Sequence, residues 1–198
     1  MPSEAFLALL VYAFVTSVTP GPNNFMLLAS GVNFGFQRTV PHMLGIGAGF
    51  LVLLLAIGLG LGALLSTYPA LHLALKIAGG AYLLYLAWRI AMSRSLSDGK
   101  GEKARPMSFL EAAAFQWVNP KAWMIALTGM AVYTQPEAPL SSMLIVAFAF
   151  AAVNLPSVST WAAFGSAMRG FLADPARLKW FNIGMGLLLA VTLWPMLS

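Results

Sequence analysis

Along this chain the apolar residues come in long unbroken runs, not in the narrow helical or alternating stripes of a water-soluble domain. Positions 5–37, 39–75 and 138–168 contain no Asp, Glu, Lys or Arg. A membrane-spanning helix needs roughly 20 mostly apolar residues, so each run is long enough for a complete span. Read against the polar punctuation, the pattern predicts six helices, at 4–30, 39–65, 69–92, 109–133, 139–168 and 176–197. The separators are Asn33-Phe34-Gly35 with Gln37-Arg38, Ser66 to Pro69, the run from Ser93 to Ser108, Thr134 to Pro139, and Gly170 to Pro175. Only 93–108 is hydrophilic throughout, and it reads as a linker within one transmembrane domain, 1–198. It joins a first set of three helices, 1–92, to a second, 109–198.

Composition agrees and narrows the class. Only 9% of residues are charged, against about 25% in soluble domains, while 60% are hydrophobic and the mean hydropathy is +0.81. A soluble enzyme, a nucleic-acid-binding module and a disordered chain are excluded; the partners to expect are lipid and a small molecule, with a homo-oligomer left open. The chain has no cysteine, which removes disulfides, thiolate metal sites and redox relays; no cofactor or metal is expected. Glu4 and the lack of a basic leader predict that the first apolar stretch stays as a helix instead of being cleaved.

The net charge of +5 then becomes a topology signal. Arg38, Arg89, Arg94, Lys100, Lys103, Arg105, Arg169, Arg177 and Lys179 all fall on one side if there are six crossings, and Glu4 and Glu137 fall on the other. That side is the cytoplasm, which places both termini outside it. Lys76, within the third helix, has a stem long enough to snorkel outward. Lys121 is different: a dozen residues into the fourth helix, it lies on the order of 18 Å deep at 1.5 Å per residue.

The first and fourth helices are interrupted at matching places. Thr19-Pro20-Gly21-Pro22-Asn23-Asn24 cannot continue an α-helix, because Pro20 and Pro22 lack donors and Gly21 adds freedom. Trp117-Val118-Asn119-Pro120-Lys121-Ala122 is the same kind of break, and Asn154-Leu155-Pro156-Ser157 suggests a third in the fifth helix. Each set holds an odd number of helices, so the second is inverted relative to the first. The expected fold is therefore an all-α membrane protein of two inverted three-helix repeats. Broken helices in inverted repeats point to a transporter's central site, because freed peptide groups cannot face hydrocarbon and must line a cavity or pack in protein. Half-helix N-termini suit a carboxylate, and freed carbonyls with asparagine amides suit an ammonium. Asn23, Asn24, Asn119 and Asn154, with Lys121 as a fixed cation, would match a small zwitterion such as an amino acid.

At these residues the chain resembles the LysE/RhtB family of bacterial amino-acid exporters. The resemblance rests on Thr-Pro-Gly-Pro-Asn at 19–23, the glycine-rich second helix and Asn-Pro-Lys-Ala at 119–122, and it extends over essentially the whole chain. The doubled Asn23-Asn24 with Gly35-Phe36 is similar to the family's cysteine/O-acetylserine branch. The resemblance implies the bacterial inner membrane, efflux driven by the proton gradient, and site positions at Pro20, Gly21, Pro22, Asn23, Asn119, Pro120 and Lys121. Some relatives with cationic substrates carry an acidic residue in the second helix; 39–65 holds none, which favours a neutral substrate.

The expected function is thus secondary active export of small neutral amino acids or their derivatives by alternating access, not an enzymatic reaction. A proton route is less legible. Glu111 at the start of the fourth helix and His42 in the second can each accept a proton, or can sit as satisfied interfacial groups. A membrane-embedded hydrolase would have to pair Ser157 or Ser159 with His42 or His72, and no motif does so; a purely structural subunit would not need mid-membrane polar residues. The pairs Gly31/Gly35, Gly45/Gly49 and Gly58/Gly62 read as packing ridges, and Gly79-Gly80, Gly184 and Gly186 as packing or hinge positions. Trp88, Trp180 and Trp194 read as interfacial belts, and Trp117 and Trp123 as packing around the fourth-helix break.

Overall fold

The computed structural model describes residues 1–96 and 105–194, apart from the side chains of 64–66, 69, 71 and 72, and the regular structure among them is all helical. Residues 97–104 of the linker with Lys100 and Lys103, the end of the last predicted helix beyond 194 and the His72 side chain lie outside the described residues.

The first predicted helix is two: α1 (Ser3–Val18) and α2 (Pro22–Phe34), bent by 54° at the break. Pro22 takes the first position of α2, where no N–H is needed. That helix runs to Phe34, and the next, α3 (Phe36–Ala56), starts two residues on. Gly35 alone makes the corner, at φ 82°, a conformation that disfavours any side chain; it is a turn residue and not part of a packing ridge with Gly31. The second predicted helix also bends. After α3 comes a wider π turn at Ile57–Leu61 with Gly60 at φ 106°, then α4 (Gly62–Thr67). The third is continuous as α5 (Pro69–Ala91). The fourth is split into α6 (Phe109–Phe115) and α7 (Pro120–Tyr133).

The expected interruption at Asn154–Ser157 does not occur. Helix α8 (Pro139–Met168) runs straight through Pro156. The hydroxyls of Ser157, Ser159 and Thr160 donate to the carbonyls of Val153, Leu155 and Ser157, supporting the backbone around the proline. A 3₁₀ turn, Phe171–Ala173, leads to α9 (Pro175–Val191), which Asp174 caps by accepting from the Arg177 N–H.

Among the described residues three helices are long and apolar enough to cross a membrane, Phe36–Leu61, Leu73–Ala91 and Pro139–Met168; the bent pair α1–α2 makes a fourth if it counts as one span. The remaining two predicted spans fall short by helix length: α6 and α7 are 7 and 14 residues, and α9 is 17.

Helix α8 is the hub, packing against α1, α2 and α3, while α3 also packs on α6 and α5 on α9. Close approach is built from missing side chains. A Cβ on Gly31 would sit 2.3 Å from the Ala162 carbonyl oxygen, and one on Gly165 2.2 Å from that of Leu28, so α2 and α8 touch backbone to backbone. Gly45 and Gly49 do the same for α3 against Phe109 and Ala113 of α6. Gly79 and Gly186 also meet backbone, whereas Gly184 faces open space and packs against nothing. A buried amide pair ties α2 to α9: Asn33 and Asn182 exchange hydrogen bonds of 2.8 and 3.1 Å, and Ser93 at the end of α5 donates to Asn33 Oδ1 at 2.9 Å. Trp88, Trp180 and Trp194 are exposed, as lipid-facing belt residues would be.

Candidate functional site

Both proline breaks meet at one place. Helix α1 ends at Val18 and α2 starts at Pro22, so the carbonyls of Thr19 and Pro20 lose their helical partners. The side chain of Lys121 reaches them from the second half of the chain. Its Nζ donates to the Thr19 carbonyl at 2.7 Å, the Thr19 hydroxyl at 3.0 Å and the Pro20 carbonyl at 3.1 Å. An ammonium has three donors, and all three are used. Gly21 is extended at φ 174°, a conformation open to any residue; its small size matters because a Cβ there would lie 2.7 Å from Lys121 Cδ. The lysine is held against a bare stretch of backbone.

The second break is built differently. From Gln116 to Asn119 the chain tightens, each N–H donating three residues back, at 3.1 to 3.4 Å. Asn119 then caps α7: its Oδ1 accepts from the Lys121 N–H at 3.1 Å, with Pro120 in the first helical position. Trp123 donates to the Trp117 carbonyl at 2.8 Å, and both rings pack on the apolar core, as expected for packing residues.

A cavity of about 30 Å³ lies between the breaks, with Ser17, Gly21, Asn24, Gln116, Lys121 and Asn154 among its lining residues. That is room for a water or two. The four predicted asparagines divide in two. Asn23 is engaged with Gln116 through bonds of 2.8 and 3.1 Å, and Asn119 is committed to its cap. Asn24 Nδ2 reaches back across the break to the carbonyls of Ser17 and Thr19, at 2.9 and 2.8 Å, and Asn154 Nδ2 donates to Ser17 Oγ at 3.2 Å. The Oδ1 atoms of Asn24 and Asn154 are buried with no hydrogen-bond partner. Thr19, Pro20, Gly21, Pro22, Asn23, Asn24, Asn119, Pro120, Lys121 and Asn154 thus gather around the two breaks. Sequence reasoning missed Ser17 and Gln116. Gln116 is fully buried, and its only signal was an amide in an otherwise apolar run just before Asn119.

The remaining candidates lie elsewhere. A second cavity, of about 330 Å³, opens at the Gly35 end of α2, walled by residues including Met26, Ser30, His42, Arg89 and Arg105. His42 is buried, and neither ring nitrogen has a hydrogen-bond partner. Glu111 is occupied: it completes a capping box with Ser108 and forms a two-pronged pair with Arg105 at 2.6 and 2.7 Å. Ser157 and Ser159 donate within their own helix and do not partner His42. Lys76 is half-buried along α5, away from both breaks in sequence and outside the lining of either cavity. Among the described residues no group of three His, Asp or Glu could hold a metal ion.

Comparison with known proteins adds three findings. The family model described as LysE type translocator matches residues 14–192. Two proteins named cysteine/O-acetylserine efflux protein, from Escherichia coli (strain K12) and Shigella flexneri, are each 33% identical over 180 residues, covering 90% of this chain and 90% of the relative. A third of that name, from Escherichia coli O1:K1 / APEC, is 32% identical over the same extent. No solved structure matches.

Proposed function

We propose a function on one premise: the chain belongs to the LysE type translocator family and is a membrane transport protein, not an enzyme. On that premise it exports small neutral amino acids or their derivatives from the cytoplasm of a bacterium across the inner membrane, with cysteine and O-acetylserine the first substrates to try. The observation that carries the reading is the convergence of both helix breaks on one polar cavity, bridged by Lys121.

Six membrane crossings as two inverted repeats, 1–92 and 109–198, fit the packing. Helix α1 lies on α8 as α6 lies on α3, the relation expected when α1, α3 and the first break correspond to α6, α8 and the second. The equivalence is incomplete in one telling place. Helix α2 is packed tightly along α8, whereas its counterpart α7 meets α3 much less. In a two-state carrier that asymmetry is one state, and the exchanged asymmetry is the other. With 93–108 as a cytoplasmic linker and both termini outside, the tightly packed α2–α8 side faces the cytoplasm, and the 330 Å³ cavity is a vestibule on that side.

With no substrate bound, the Lys121 ammonium is held by carbonyls of the first break. A substrate carboxylate replaces those neutral acceptors with a charged one, a stronger partner, and frees the end of α1 to move. Binding is thereby coupled to bending at the break. For proton coupling His42 is better placed than Glu111, because the imidazole has no competing partner and Glu111 is already paired. Purified protein alone in liposomes tests the reading. Counterflow of labelled O-acetyl-L-serine is expected, and absence of counterflow for every small neutral amino acid would overturn it.

A further inference from the structure

The four asparagines near the breaks are alike in sequence, and their hydrogen bonds separate them. Asn23 and Asn119 spend their amides on protein, on Gln116 and on the start of α7. Asn24 and Asn154 do not: each donates through Nδ2 and leaves Oδ1 buried and unpartnered. For Asn24 the orientation is forced, since two carbonyls on one side of the amide require the NH₂ group there. Asn24 is 3% exposed and Asn154 7%, both side chains line the cavity between the breaks, and both turn toward Ser17. A buried carbonyl oxygen with no donor is unfavourable, and native proteins leave few such atoms without a reason. Two at one small cavity call for a ligand that donates.

We infer that Asn24 Oδ1 and Asn154 Oδ1 are the acceptors for the α-ammonium of the transported amino acid, so that the protein selects substrates with a free amine. The assignment rests on the export reading above and gives it a polarity. Lys121 is a donor and takes the carboxylate; Asn24 and Asn154 are acceptors and take the amine. The cavity between the breaks has room for a water or two, so opening at the breaks must supply the space for the substrate. Two neutral oxygens, with no carboxylate on the cavity wall, also fit a neutral zwitterion better than a substrate with a second positive charge.

An isomer pair tests this without any mutation. O-acetyl-L-serine and N-acetyl-L-serine share the same atoms and the carboxylate, but only the first keeps an ammonium. The wild-type protein in liposomes is assayed for counterflow of each labelled compound, at a pH slightly below neutral where the O-to-N acyl shift is slow. The expected result is counterflow of the O-acetyl isomer with the N-acetyl isomer at least ~10-fold weaker, the loss of one charge-assisted hydrogen bond. The variant Asn154→Leu, which keeps the side-chain shape, should raise the KM for O-acetyl-L-serine ~10-fold and narrow the gap between isomers. Equal counterflow of both isomers would overturn the inference and leave export standing. Unchanged isomer discrimination in Asn154→Leu would also overturn it, as would Na⁺-dependent counterflow by the wild type that the variant loses, which would give the oxygens to an inorganic cation. Failure of every amino acid to move would remove the export reading itself.

Discussion

The two helix breaks look equivalent in sequence and are opposites in construction. The second, Gln116 to Asn119, satisfies itself: tight backbone turns close it, and Asn119 caps the helix that follows. The first, Thr19 to Gly21, is satisfied only partly from its own half: Asn24 reaches back to the Thr19 carbonyl, and Lys121 from the other half donates to the Thr19 and Pro20 carbonyls. In the proposed transport cycle the second break acts as a rigid mount that presents a lysine, and the first as a soft joint whose conformation depends on what that lysine is doing. A site that opens and closes as proposed needs this division. If both breaks were self-sufficient, nothing at the site would couple ligand to hinge; if both were open, unpaired backbone would face a low-dielectric interior.

The comparison can be broken most completely by releasing α2, the helix beyond the soft joint. Gly165→Val would drive a side chain into the Leu28 carbonyl, 2.2 Å from the Cβ position. Overpacking of this kind destabilises by about 1–3 kcal/mol or more, and against backbone the upper end applies. Folded, monodisperse protein after detergent extraction should be largely lost, as size-exclusion chromatography would show; a wild-type profile would mean that the contact is not needed. Gln116→Leu separates the joints from each other. It strips Asn23 of its partner and should lower stability by about 1–3 kcal/mol, seen as a lower thermal midpoint, with the double variant Asn23→Leu/Gln116→Leu recovering much of the loss. Absence of that recovery would mean that the pair is not what links the breaks. The smallest effect belongs to the rigid mount. Asn119→Ala removes one cap, about 1 kcal/mol, and should lower the midpoint slightly while Lys121 still reaches Thr19. A collapse of the fold in that variant would show that the second break is not self-sufficient.

Much of this was legible in the sequence, for reasons that are local. Charge-free runs announced the helices, and Pro20, Pro22 and Pro120 announced the breaks, because a missing N–H acts where it sits. The same rule misleads at Pro156, where the helix continues unbroken and hydroxyls one to four residues further on bond to its backbone. Gly35 was misassigned because spacing alone cannot separate a packing glycine from a turn at φ 82°. Gln116, Ser17 and the Asn33–Asn182–Ser93 tie escaped because their meaning lies in partners scattered along the chain. The division of four asparagines into paired and orphaned is of the same kind. Residue type gave the chemistry, and only the fold shows which oxygens are left over.

The central claim is that the rigid break controls the soft one, and the substrate, through a single lysine. Inside-out vesicles containing equal amounts of wild-type protein or Lys121→Met should be compared for uptake of labelled O-acetyl-L-serine. The account predicts transport by the wild type and uptake at background by the variant, with its amount and size-exclusion profile unchanged. Wild-type uptake by Lys121→Met would contradict it.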